Sequence, residues 1–326
     1  MIVKQVEYAF PQRVLITGGA GFIGSSVSQV LRRAGFDVVI LDRADRLERA
    51  AAELAGCECI PWDFRSELCG NLPFDRADVL IHLACTTLPA TSMKSFSYDA
   101  SSNIVGSLRV FEAALNKGVK KIIFGSSGGT VYGVPQSLPI SELHPSAPIS
   151  AYGVSKLSIE RYLALVGSTK EIATISLRIG NPYGPLQYRG AGVGAIARYL
   201  IAVGRGENIP VWGDGETVRD YLYIDDLADA FKIALCSSDI TSGEYNIGAG
   251  VGYSLNEVIH HIQQVTRVPI KVEYTSARSF DPPAIVLDSR KFEAFGWRPR
   301  FGLEDGIAAM WNWLASEGTQ CCKALA

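Results

Sequence analysis

The sequence predicts an α/β fold, a doubly wound parallel sheet joined to a second, smaller α/β substrate-binding domain. Three observations carry that expectation. Short β-branched runs alternate with longer amphipathic stretches from residue 13 to about 180, the rhythm of βαβ units whose sheet is buried on both faces. A glycine-rich turn follows the first of those runs. Past Arg178 the rhythm breaks, and Gly180, Pro182, Gly184, Pro185, Gly190, Gly192 and Gly194 crowd fifteen residues, the density of turn-formers that marks a crossover between domains.

The runs at 13–17, 37–41, 57–60, 78–84, 121–125 and 173–178 read as strands. The stretches at about 22–34, 45–55, 101–117 and 150–167 read as the helices between them, each long enough to cover a sheet face. Further on, 225–236 reads as a helix and 244–247 as a strand returning to the first sheet, with helices at 254–265 and 303–315 completing the smaller domain. The division expected is residues 1–178 plus about 214–250 for one domain, and about 179–213 plus 251–326 for the other.

A chain of 326 residues supports a sizeable core, and 48% hydrophobic with 20% charged residues excludes a disordered chain or a coiled coil. Thirty-one Lys+Arg against 33 Asp+Glu leave a net charge of −2, so no overall field draws nucleic acid or an anionic membrane. No apolar run approaches the ~18 residues of a membrane span, and residues 1–11 lack the pattern of a signal peptide. The seven cysteines follow no zinc-type spacing, so reduced thiols, no metal site and a cytoplasmic location are expected.

Gly18, Gly21 and Gly24 stand at Gly-x2-Gly-x2-Gly spacing between the first strand and the first helix, with Phe22 and Ile23 opening that helix. Such glycines permit a tight turn, close backbone approach to a pyrophosphate and close packing of helix on sheet, while helix N–H groups face the phosphates. Asp42 closes the second strand, where a carboxylate accepts hydrogen bonds from an adenosine ribose and repels a 2′-phosphate. NAD is thereby favoured over NADP, although Arg43 beside it could contact a 2′-phosphate. Asp63, after the third strand, is placed to bond the adenine amine.

Tyr152 and Lys156 are spaced by four at the start of a helical stretch, on one face. A free phenol has a pKa of ~10 and is a poor base at neutral pH, but a neighbouring ammonium stabilises the phenolate, and the lysine can also hold a nicotinamide ribose.

With these motifs in place, the chain resembles the extended short-chain dehydrogenase/reductases of the NAD-dependent epimerase/dehydratase family over nearly its whole length. The matching residues are Thr17 to Gly24, Asp42, Asp63-Phe64, His82-Leu83-Ala84, Asn103, the stretch from Ser126 to Gly133, Tyr152-x3-Lys156, Arg178-x2-Asn181-Pro182 and the stretch from Gly213 to Asp226. The resemblance implies a Rossmann domain holding NAD, with Phe64 flanking the adenine and Ala84 and Asn103 lining the cofactor. It implies that Tyr152 and Lys156 are catalytic, that Asn181, Arg219 and Arg278 contact a nucleotide-sugar diphosphate, that Val211 and Trp212 border the base, and that Asp281 bonds its ribose. Ile285, four residues after Asp281, would stand where relatives control the size of the sugar's C2 substituent, and as a residue smaller than Tyr would leave room for an N-acetyl group. A homodimer joined by the helices at 101–117 and 150–167 is also implied.

The family places a Ser or Thr three residues before the Val of Val131-Tyr132-Gly133, and here that position is Gly128. A one-residue shift brings Ser127, rather than Ser126, to the proton-relay role. The acid pair that a 4,6-dehydratase needs after this residue is replaced by Gly129 and Thr130. The reading reached is a nucleotide-sugar 4-epimerase working through a transient 4-keto intermediate, for a UDP-hexose or UDP-N-acetylhexosamine. The alternatives are an NAD(P)H-dependent nucleotide-4-keto-sugar reductase of the same scaffold and, from another class, a non-catalytic NAD-sensing module.

Overall fold

The computed structural model describes residues 13–65, 76–189, 192–276 and 282–316. In order, β1 (Arg13–Thr17), α1 (Phe22–Arg33), β2 (Asp37–Asp42), α2 (Ala44–Arg49), β3 (Glu58–Pro61) and β4 (Val79–His82) lead to two short helices, α3 (Pro89–Ser92) and α4 (Phe96–Asp99). A π-helical turn, Ala100–Val105, runs on into α5 (Gly106–Asn116), followed by β5 (Lys121–Ser127), α6 (Ala151–Lys170) and β6 (Ala173–Ile179). The remainder comprises β7 (Asn181–Tyr183), α7 (Ala195–Arg205), β8 (Ile209–Trp212), β9 (Val218–Tyr223), α8 (Ile224–Cys236), β10 (Gly243–Ile247), β11 (Gly252–Ser254), α9 (Leu255–Thr266), β12 (Val272–Thr275), β13 (Ala284–Ile285), α10 (Arg290–Glu293) and α11 (Leu303–Ser316).

Seven strands form one parallel sheet in the order β10-β6-β5-β4-β1-β2-β3. Side chains alternate across a strand, so each apolar run feeds two cores. Ile16, Ile40, Ile81 and Ile123 point to the face covered by Val27 and Leu31 of α1 and by Leu227 and Phe231 of α8. Leu15, Val39, Leu80 and Ile122 point to the face covered by Val110 and Phe111 of α5 and by Ile159 and Leu163 of α6. The chain winds outward from β1 to β3 and then restarts beside β1 at β4. A crevice opens above the carboxyl ends of those two strands, the place where open α/β sheets bind ligands.

Lys121 is buried within β5, and its Nζ donates to the carbonyls of Ala234, Leu235 and Ser237 at 2.9, 3.0 and 3.2 Å. A cation there satisfies the orphan carbonyls at the end of α8 and fixes that helix to the sheet.

Two expectations change. The helix read at 45–55 stops at Arg49, and the alanine-rich stretch after it forms only turns. Residues 218–223, expected with the first domain, form β9, which pairs with β7, β11 and β13 in a second sheet, while α8 and β10 alone return to the first. The last four side chains of β9 are buried in succession, so its run carries no alternation to reveal its partners. A two-stranded sheet of β8 and β12 completes the smaller unit.

Candidate active site

Gly18 adopts a φ of +73°, and a Cβ on it would lie 2.7 Å from the Ala84 nitrogen. A Cβ on Gly24 would lie 2.4 Å from the Gly18 carbonyl oxygen, so the first turn of α1 presses directly on the loop. Gly21 caps α1 in an extended conformation, with no side chain bonding the helix's first N–H groups. These groups and the absence of acid in the first turn make an anion-binding helix start. The cleft in front of it, about 310 Å³, is bounded by Gly18, Gly21, Phe22, Ile23 and Gly24 on one side and by Ser127, Tyr152 and Lys156 on the other.

A smaller pocket continues from it, lined by Asp42, Arg43, Trp62, Asp63, Phe64 and Ala84. The buried Asp42 carboxylate accepts from the Ala20 and Arg43 N–H groups at 3.1 and 2.8 Å. Burial raises its pKa, and those two bonds and the neighbouring arginines oppose the rise. The Arg43 guanidinium is turned to Asp45 with two bonds of 2.9 Å, whereas Arg46 comes within 4.0 Å of Asp42 and lines both pockets. Arg46 thus takes the place beside Asp42 that the sequence reading gave to Arg43; its Cβ direction on α2 was not legible from spacing. Asp63 is engaged by Arg65 at 2.5 Å, which holds its pKa below the usual carboxylate value. Asn103 spends its amide on protein, accepting from the Thr86 N–H at 2.9 Å and donating to the Thr87 hydroxyl and Asp99 at 2.9 and 3.0 Å, so it shapes the wall of the cleft.

Ser150 caps α6, and the next residue but one is Tyr152, whose N–H donates to the buried Ser92 hydroxyl at 3.0 Å. The Tyr152 phenol and Ser127 line the same cleft. Burial pushes the phenol's pKa far up, Cys85 and Asp99 push it further, and the neighbouring Ser127 hydroxyl opposes them. The Lys156 Nζ donates to the Gly125 carbonyl at 2.7 Å, the acceptor nearest at the end of β5, and stands 4.7 Å from the Phe124 ring centroid and 5.5 Å from that of Tyr152. Burial lowers the lysine's pKa, while Cys85, Glu160 and Asp99 raise it.

Both serines border the cleft, but Ser127 is the less buried, and the Ser126 hydroxyl donates to Glu160 at 2.5 Å. A Cβ on Gly128 would lie 2.5 Å from Leu287 Cδ1, so the residue that lacks the family's hydroxyl has no room for any side chain. Glu160 also pairs with Arg178 at 2.7 Å, and Arg178 donates to the Tyr132 hydroxyl at 3.0 Å, which donates in turn to Asn246 at 2.7 Å. All of these side chains are buried. The network ties α6, which carries Tyr152 and Lys156, to β5, β6 and β10.

The more distant candidates divide. Asn181 approaches Gly129, with its Oδ1 3.6 Å from where a Cβ would stand. Arg219 donates to the Val218 and Pro282 carbonyls at 2.8 Å each. Trp212 stacks under the Arg198 guanidinium at 4.3 Å. Val211, the neighbour on the opposite strand face, is fully buried in the core, so its side chain has no surface for a base. Ile285 is likewise fully buried, packed with Val131, Tyr132, Ile140 and Leu287, and the size gate read at this position has no surface toward the cleft. Pairing of β13 with β9 turns it inward. Arg278 and Asp281 lie outside the described residues.

His82 bridges the hydroxyls of Thr17 and Ser107 at 2.6 and 2.9 Å and is fully buried, its pKa lowered to about 3 by that burial, with Lys156 adding to the effect. Because the unfolded chain takes up a proton near pH 6.5 and the fold refuses it down to about 3, stability is full above 6.5 and falls with acidification by up to ~1.4 kcal/mol per pH unit. Urea midpoints at pH 7 and pH 5 are expected to differ more for the native chain than for His82→Gln; equal differences would remove His82 from the account. Among residues that sequence reasoning missed, Cys85, Thr86 and Thr87 line the cleft. Cys57, Cys59, Cys85 and Cys236 are free thiols, while Cys69, Cys321 and Cys322 lie outside the described residues. Among the described residues, no helix is long and apolar enough to cross a membrane, and no cluster of His, Cys, Asp and Glu could hold a metal ion.

Residues 14–248 match the profile of the NAD dependent epimerase/dehydratase family. The chain is 34% identical over 304 residues to the UDP-glucose 4-epimerase of Mycolicibacterium smegmatis, covering 91% of this chain and 96% of that one. It superposes with a TM-score of 0.86 and 32% identity on the Thermotoga maritima UDP-glucose 4-epimerase solved with UDP-glucose, over 93% of this chain and 99% of that one. The Thermus thermophilus UDP-glucose 4-epimerase complex with NAD gives a TM-score of 0.82 and 31% identity, over 92% and 98% of the two chains.

Proposed function

Since the chain belongs to the NAD-dependent epimerase/dehydratase family, we propose that its cleft inverts C4 of a nucleotide sugar, with UDP-glucose and UDP-galactose as the substrate pair. It is an NAD-dependent nucleotide-sugar epimerase. The observation that carries the reading is the placement of Ser127, Tyr152 and Lys156 on one wall of a cleft whose far wall is the glycine loop, with Gly129 and Thr130 where dehydration would need an acid.

The residues present fit NAD. Gly18 and Gly24 leave a cradle that any Cβ would fill, the uncapped start of α1 faces where the pyrophosphate would lie, and Asp42 with Phe64 and Ala84 offers the adenosine end. When bound, NAD supplies the acceptor and then the donor of the sugar's C4 hydride. Tyr152 takes the 4-hydroxyl proton, with Ser127 relaying it, and returns it once the 4-keto sugar has presented its other face. Lys156 leaves the Gly125 carbonyl to hold the nicotinamide ribose and to steady the phenolate. Asn181 and Arg219 face the diphosphate, and Trp212 offers a flat surface to the base. Residues 1–178 with α8 and β10 serve the cofactor and the rest of the chain serves the nucleotide sugar. The exposed apolar side chains Phe96, Tyr98 and Val105 on one side and Val154, Tyr162 and Leu165 of α6 on the other suit a second copy of the chain, so we propose a homodimer.

The test incubates purified protein with UDP-glucose and no added cofactor. UDP-galactose is expected by chromatography, together with protein-bound NAD released on denaturation. A requirement for stoichiometric NADH, with a 4-keto sugar consumed and no epimer formed, would establish a reductase instead. Asp42→Ala is expected to lose about tenfold in NAD affinity while gaining relative affinity for NADP, because Arg46 then has no carboxylate beside it. An unchanged NAD-to-NADP ratio in equilibrium binding would dissociate Asp42 from cofactor choice.

A further inference from the structure

Asp99 ends α4 with its carboxylate 1% exposed. Its three hydrogen-bond donors come from three different places. The Thr87 hydroxyl belongs to the loop after β4 that lines the cleft. The Asn103 amide, at 3.0 Å, belongs to the π-helical turn. The Ser155 hydroxyl, at 2.5 Å, belongs to α6, one residue before Lys156 and three after Tyr152. All three donors are neutral. A second tie runs alongside, from the Tyr152 N–H to Ser92 of α3.

Taking a carboxylate out of water costs several kcal/mol, and a neutral amide at this position could accept from Thr87 and Asn103 with its oxygen and donate to a turned Ser155 hydroxyl. The charge therefore calls for a use. The groups with charge or a titratable proton around the Tyr152–Lys156 pair are Cys85 from the loop after β4, Glu160 one turn further along α6, His82 at the end of β4, which stays neutral, and Asp99. Asp99 favours the ammonium of Lys156 and disfavours the phenolate of Tyr152. A π-helical turn beside it widens the helix by one residue, which is what lets Asn103 reach both Asp99 and the Thr86 N–H.

We propose that Asp99 is a positioning residue of the reaction, which clamps the Tyr152–Lys156 turn of α6 to the cleft loop and the π-helical turn, and whose negative charge sets the pH range in which that pair works. It acts through Ser155 and through its field, without touching substrate or cofactor. The proposal rests on the epimerase reading, in which Tyr152 is the base and Lys156 its cationic partner.

The experiment is the pH profile of kcat for the holoenzyme, native and Asp99→Asn. Asparagine keeps the size, its oxygen can accept from Thr87 and Asn103, and the Ser155 hydroxyl can turn to accept from its amide, so the charge is what is removed. Loss of the charge lowers the pKa of the phenol and of the ammonium together, and both limbs of the profile are expected to move to lower pH by about half to one unit, with KM changed less than kcat. Ser155→Ala is the companion, keeping the charge and removing one tether; kcat is expected to fall several-fold with both limbs in place. Coincident profiles for the native and Asp99→Asn enzymes would overturn the electrostatic part, and native kcat in Ser155→Ala would overturn the clamp, also when Asp99→Asn does not accumulate as folded protein. An inactive native enzyme would instead count against the epimerase reading itself.

Discussion

Tyr152→Phe is expected to lower kcat by about 10²–10⁴-fold, the range that a positioned proton acceptor contributes. The substitution deletes one oxygen, which lines the cleft with Ser127, and leaves the backbone tie to Ser92 and the ring's place over Lys156 intact. Bound NAD and the thermal midpoint should therefore match those of the native protein. Both matter to the reading, since a fall in activity accompanied by cofactor loss would place Tyr152 in binding rather than chemistry. Activity within a few-fold of native would remove the phenol from the proton path altogether. Ser127→Ala should fall between, because the phenol can still exchange its proton with the sugar hydroxyl directly.

The largest effect on stability is expected from Arg178→Met. The Arg178 and Glu160 side chains are only 2% and 0% exposed, and the guanidinium bonds both the carboxylate and Tyr132. Removing the cation strands Glu160 with only Ser126 as donor, and breaking a buried pair in this way costs about 3–5 kcal/mol. Adding Glu160→Leu to the same chain should recover most of that loss, because the cost lies in the unpaired charge more than in the lost attraction. Urea denaturation of the three variants measures both numbers. A single substitution costing under ~1 kcal/mol, or a double one no better than the single, would mean that the pair does not hold α6 against the sheet.

The alternation of β-branched runs made the parallel sheet legible, since a strand buried on both faces needs a continuous apolar stretch, and 121–125 or 173–178 could be little else. The glycine loop was legible because Gly18 and Gly24 stand where backbone has no room for a Cβ. Strands of two or three residues, such as β7, β11 and β13, are too short to establish a period, and they surround β9 in the second sheet. At the site, residue type pointed to Tyr152 and Lys156, but side-chain direction was hidden: whether Arg43 or Arg46 turns to Asp42, or whether Ile285 faces the sugar or the core, depends on neighbours far along the chain. The polar web around Asp99 was invisible for the same reason, as its donors lie 12, 4 and 56 residues away.

The place of β10 in the large sheet has a consequence for synthesis on the ribosome. It flanks β6, yet about sixty residues, among them β7, β9 and α8, separate the two in the chain. At roughly 5–20 residues per second, β6 emerges several seconds before its outer neighbour is made. Through that interval the nascent chain presents the open backbone edge of a strand whose side chains are almost all apolar or buried, the kind of edge on which chains pair with one another. A holdase that covers β6, or slow codons placed after β10 rather than before it, should raise the soluble yield. A chain cut between β6 and β10 should be recovered mainly in aggregates.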